Sequence, residues 1–76
     1  MKEVDARGLS CPQPVMLTLE AISGADEDEL VVIVDNPTAR ENVIRAAGTK
    51  GWRPRDVKVE VDAEGEVYRV ELVRAG

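Results

Sequence analysis

The 76-residue sequence contains no histidine and no phenylalanine, and only one cysteine, one tryptophan and one tyrosine. Without histidine it lacks the commonest general base and metal ligand, so a Cys–His hydrolase working alone is excluded. A single cysteine can form neither an internal disulfide nor a cysteine zinc site, and no metal is expected. A free thiol suits a reducing compartment. Long apolar runs are missing too. The longest, Leu30–Val34, is far too short to cross a bilayer, and Met1-Lys2-Glu3-Val4-Asp5 has no signal-peptide core. A soluble cytoplasmic protein with no membrane partner is expected. Positive charge is scarce, with 10 Lys and Arg against 15 Asp and Glu and a formal net charge of −5. Proteins that bind a phosphate backbone are usually basic, which argues against nucleic acid.

The length allows one domain, residues 1–76, with one small core. At roughly 0.05–0.15 kcal/mol per residue, its stability should be about 4–11 kcal/mol. Such a core leaves little room for a deep active site. Any chemistry is expected at the surface or shared with a partner.

What is present is concentrated in Gly8-Leu9-Ser10-Cys11-Pro12-Gln13-Pro14-Val15-Met16. The cysteine stands directly before two prolines and an apolar run with helical spacing. Proline is tolerated in a helix's first turn, and the residue before it is pushed out of helical geometry. Cys11 is therefore expected at, or one step outside, a helix N-terminus. There free N–H groups and the macrodipole favour a thiolate, by about 0.3–1 kcal/mol at an exposed site. The starting register is open. Cys11 or Gln13 is the preferred cap, because a Ser10–Gln13 capping box would make Pro14 forfeit a hydrogen bond. Either choice leaves the sulfur at the helix mouth.

In chain order, Lys2–Ala6 reads as a strand, ended by the turn former Gly8. A helix over about Pro12 to Ser23 carries Val15, Met16, Leu19 and Ile22 on one apolar stripe, with Thr18 and Glu20 off it, and stops at Gly24. The acidic loop Asp26–Asp28 is a solvated turn or a docking point for a basic donor. Leu30–Val34 is β-branched and apolar on both parities, which describes a central strand. Asn36 with Pro37, or Thr38 with Glu41, caps a second helix whose buried side is Ala39, Val43, Ile44 and Ala47. Gly48 and Gly51 bracket its exit. Val57, Val59 and Val61, then Tyr68, Val70 and Leu72, alternate with charged residues and predict two strands with one wet face each. Gly65 turns the hairpin between them. The order βαβαββ predicts an α+β two-layer sandwich, a four-stranded mixed sheet with two helices on one face. The uncovered face would be partly apolar through Leu30–Val34. It could serve a partner, or reflect only an apolar central strand.

The run VDARGLSCPQPVM resembles the signature of the TusA / SirA / YedF family of small sulfur-carrier proteins, through Asp-x-x-Gly-Leu-x-Cys-Pro-x-Pro at Asp5 to Pro14. Asp35-Asn36-Pro37 is similar to the family's second-helix start, and the likeness covers essentially the whole chain. Gln13, Val34–Asn36 and Glu41–Val43 look closest to YedF-type members, a subgroup linked to selenium metabolism. Ending at Gly76, the sequence departs from relatives that carry a second, C-terminal domain. The resemblance implies a SirA-like fold, similar to the C-terminal domain of a bacterial translation initiation factor, and a persulfide relay. Cys11 would accept sulfane sulfur from a cysteine desulfurase or another sulfurtransferase, hold it as a persulfide and pass it to an acceptor protein. The protein would be a sulfurtransferase-like carrier without a cofactor, expected as a monomer. The flow could lead to thiouridine in tRNA, to cofactors or to dissimilatory sulfur pathways.

Several residues around Cys11 carry two readings. The thiol itself is either functional or a buried, inert cysteine. Pro12 and Pro14 fix the loop and hold the sulfur outward, or merely punctuate a helix start. Gly8 reads as backbone geometry. Asp5 anchors the loop through backbone N–H groups, or is a solvated charge. Arg7 attracts an anionic persulfide, or is an exposed arginine with no role. Trp52 is expected to pack at the helix–strand junction. Two other functions compete with the sulfur relay: a YedF-like selenium-metabolism protein, and a regulatory or interaction domain without chemistry.

Overall fold

The run of β-branched residues at Leu30–Val34 does form the interior of a sheet. In a computed structural model, which describes residues 2–24 and 26–75, the elements are β1 (Lys2–Asp5), α1 (Gln13–Ser23), β2 (Glu29–Val34), α2 (Pro37–Gly48), β3 (Trp52–Asp62) and β4 (Gly65–Arg74). The strand order is β1-β2-β4-β3. β1 and β2 are parallel, and β4 runs antiparallel to both β2 and β3. This is the βαβαββ, α+β arrangement that the sequence predicts. Among the described residues, no helix is long and apolar enough to cross a membrane.

Alternate residues of β2 and β4, Leu30, Val32 and Val34 with Tyr68, Val70 and Leu72, join Ala21 of α1 and Val43 and Ala47 of α2 in one cluster. Both helices therefore share one face of the sheet. Each fully buried Val or Leu contributes about 1.5–3 kcal/mol. Trp52 belongs to this cluster at the α2–β3 junction, as expected, and Arg74 lies over its ring at 5.2 Å.

The other face carries Val31 and Ile33, yet they are only 4% and 7% exposed. Charged side chains close over them. Arg69 pairs with Glu3 at 3.1 Å and Glu60 at 3.9 Å, Arg55 bonds Glu29 and Glu71, and Lys58 reaches Glu71 at 3.3 Å. Long charged side chains can shield apolar surface while their heads stay in water. The geometry favours the plain reading of β2 as a central strand apolar throughout.

Three local expectations need correction. First, the residue capping α1 is Pro12, not Cys11 or Gln13, and no side chain caps it. Second, the buried side of α1 is Pro14, Thr18 and Ala21, with Leu17 and Ile22 packed on the core, whereas Met16 is 60% exposed. The Thr18 hydroxyl donates to the Pro14 carbonyl at 2.8 Å, which removes the penalty for burying it. Third, Val59 and Val61 are 53% and 77% exposed, although they share a face with the core. The reason is length. An 11-residue strand spans about 36 Å at roughly 3.3 Å per residue. The 12-residue α2 covers only about 18 Å. The hairpin therefore projects beyond the helical layer.

Candidate functional site

The parallel pairing of β1 and β2 places the segments that follow them at one end of the sheet. Both helices start there, so the Cys11 loop and the first turn of α2 meet. Apolar anchors hold the loop from below: Ala6 is buried, its N–H donates to the Ile33 carbonyl at 2.8 Å, and Leu9 packs against the core. Polar anchors hold it from above. Asp5 accepts from the Arg7 N–H at 3.1 Å, and its carboxylate faces the Arg7 guanidinium at 3.0 and 2.8 Å. These bonds hold the Asp5 carboxyl down to about 2. Asp5 is thus a loop anchor. Arg7 is spent on it rather than turned to the cysteine. Gly8 has φ +74°, a conformation that L side chains rarely adopt, and its N–H donates to Asp35 Oδ2 at 2.8 Å.

Cys11 is exposed, one residue outside the α1 cap, and the Cys11–Pro12 peptide bond is cis. The expected ring of free amides is thinner than the sequence implies. Pro12 and Pro14 have no N–H, Gln13 donates to the Ser10 carbonyl at 2.9 Å, and Met16 donates to Pro12 at 3.0 Å. Val15 is the first-turn amide not engaged by these bonds.

Cys11 instead lines a pocket of about 100 Å³. One wall is the α1 mouth, with Leu9, Ser10, Cys11, Pro12, Pro14 and Val15; the other is the start of α2, with Asn36, Thr38, Ala39 and Asn42. Asn36 caps α2 by accepting from the Ala39 N–H at 2.7 Å, so the first of the two predicted caps forms. Its amide also donates to Asp35 Oδ1 at 3.1 Å. The structure therefore places Cys11, Pro12 and Pro14 on one pocket, and Asp5 and Gly8 in the segment leading into it. Sequence reasoning missed Thr38, Asn42 and Asp35 as neighbours of the site. Asp35-Asn36-Pro37 was legible as a helix start, but its reach back to Gly8 is a tertiary contact.

Behind the loop, Arg7, Asp35, Asp62, Glu64 and Glu66 line a second, polar depression at the hairpin tip. Among the described residues no group of three His, Cys, Asp or Glu side chains is arranged to hold a metal ion.

Comparison with known proteins bears directly on this arrangement. A curated protein of Methanocaldococcus jannaschii, named "Putative sulfur carrier protein", is 40% identical over 53 residues, which cover 68% of this chain and 71% of that protein. The crystal structure of a SirA-like protein from Desulfitobacterium hafniense covers both chains completely, with a TM-score of 0.74 and 28% identity. The family model described as sulfurtransferase TusA matches residues 2–74. The chain belongs to the TusA sulfurtransferase family.

Proposed function

We propose that the protein is a sulfur carrier that holds sulfane sulfur as a persulfide on Cys11. The observation carrying this reading is the exposed Cys11 thiol, on an anchored loop at the mouth of α1 in a TusA-family fold. The curated relative named as a sulfur carrier supports the same role.

In the loading step the Cys11 thiolate attacks the outer sulfur of a donor persulfide. A new S–S bond forms, the donor's S–S bond breaks, and the donor cysteine leaves as a thiolate. Delivery repeats the exchange, with the acceptor's thiolate attacking the outer sulfur of Cys11–S–SH and Cys11 leaving as thiolate. Neither step needs an external oxidant or a cofactor. Both need the sulfur to be reachable by a second macromolecule, and the open pocket and exposed thiol allow this. The donor is a protein persulfide such as that of a cysteine desulfurase, and the acceptor is a second protein. Pro12 and Pro14 fix the loop's approach and hold the sulfur outward, while Gly8 and Asp5 shape the turn behind it. The reading places a monomeric carrier in the reducing cytoplasm, where a lone free thiol persists.

Incubation with a cysteine desulfurase and cysteine should add one sulfur atom to the intact protein by mass spectrometry, and Cys11→Ser should abolish the adduct with its fold kept. A wild-type protein that takes no sulfur from the desulfurase or from a small sulfane donor overturns the assignment.

A further inference from the structure

We propose that Asp35 is a positioning residue for Cys11, clasping the cysteine loop to the start of α2; this rests on the sulfur-carrier reading above. One carboxylate joins the turn behind the cysteine wall to Asn36 in the wall opposite. Oδ2 accepts the Gly8 N–H at 2.8 Å across 27 residues of sequence, and Oδ1 accepts the Asn36 side-chain amide at 3.1 Å. Asn36 is itself fixed, because its Oδ1 takes the Ala39 N–H at 2.7 Å as the α2 cap. The chain of contacts therefore runs Gly8, Asp35, Asn36, Ala39, from the turn three residues before the sulfur to the pocket wall opposite it. Hydrogen bonds to a charged acceptor are shorter and stronger than neutral ones. Gly8 at φ +74° can present its N–H to this carboxylate without steric cost from a side chain.

The Asp5–Arg7 anchor cannot replace the clasp. It ties the turn to the end of β1, two residues away, whereas Asp35 ties the turn to the start of α2. Losing the clasp should leave an exposed thiol whose distance from Thr38 and Asn42 drifts. Small reagents will still find such a thiol, but a donor protein that must dock on both walls will not find it in register. Misplacement of a reacting group by about 1 Å can cost up to about 100-fold in rate.

The test compares wild type with Asp35→Ala and Asp35→Asn in the full chain. Asn keeps an acceptor for Gly8 but presents a second donor to Asn36, so it should rescue in part. Three measurements are taken: exchange of the Gly8 amide by NMR, sulfur loading from a cysteine desulfurase, and alkylation of Cys11 by iodoacetamide. Asp35→Ala should lose Gly8 protection and load about ten-fold more slowly, with Asp35→Asn between it and wild type and alkylation within about two-fold throughout. Wild-type loading rates in Asp35→Ala overturn the proposal. So does an alkylation rate that falls in step with loading, or a Gly8 amide no better protected in wild type than in Asp35→Ala. Should Asp35→Ala fail to fold, Asp35→Asn decides by the same criteria. A wild type that takes no sulfur overturns the carrier reading, and with it the positioning role; Gly8 exchange still reports whether the clasp itself exists.

Discussion

Asp5 shows how a single charged residue at a strand end acquires a structural task. Its carboxylate takes the Arg7 side chain and backbone at once, which holds its pKa down to about 2 from the ordinary 3.8. A depressed carboxyl contributes stability that is fully present above the unfolded value and is lost as pH falls through the folded one. Asp5→Asn should therefore be less stable than wild type at neutral pH, and the gap should close between about pH 4 and pH 2 in thermal melts. The pair is half exposed, so solvent screening keeps the effect small. A gap that stays constant with pH would contradict the pairing. The loop pattern Asp-x-x-Gly was legible in the sequence, and Asp5 ends β1 while Gly8 lies in the turn that follows. That Arg7 faces Asp5 rather than Cys11 was not legible, because an arginine two residues from an acid and four from a cysteine can reach either.

At the scale of elements, alternation of apolar residues predicted β3 and β4 correctly and predicted burial only where a helix lies above. Leu72 and Val61 make the contrast measurable. Leu72 is fully buried in the core, while Val61 stands beyond the end of the helical layer. Leu72→Ala should cost about 2–5 kcal/mol in urea denaturation through the cavity it leaves. Val61→Thr should fall within about 0.5 kcal/mol of wild type, as exposed substitutions usually do. A cost at Val61 comparable to that at Leu72 would mean that something covers the hairpin tip in solution. In α1 the error was rotational. Thr18 falls off the apolar stripe, yet its hydroxyl donates to the Pro14 carbonyl and the residue is fully buried. Hydropathy patterns do not register that kind of self-satisfaction.

For the whole molecule, the uncovered face of the sheet is a lattice of opposite charges over two apolar side chains. Glu71 sits at its middle, held by Arg55 and then Lys58, and its pKa is lowered by those hydrogen bonds. Glu71→Gln should lower stability at neutral pH, and the deficit should shrink as acid protonates the wild-type carboxylate. Paired urea titrations at neutral and acid pH measure both. A deficit that grows on acidification would show that Arg55 and Lys58 do not stabilise the Glu71 carboxylate.

The sequence by itself determined the element order, the central place of β2, the cysteine's position at a helix mouth and the family, because each depends on local preference or a contiguous motif. The tertiary structure alone decided what surrounds the sulfur. Two parallel strands deliver both helix starts to one end of the sheet. Asp35 meets Gly8 and the start of α2 walls the pocket only because strand pairing brings together residues that lie far apart along the chain.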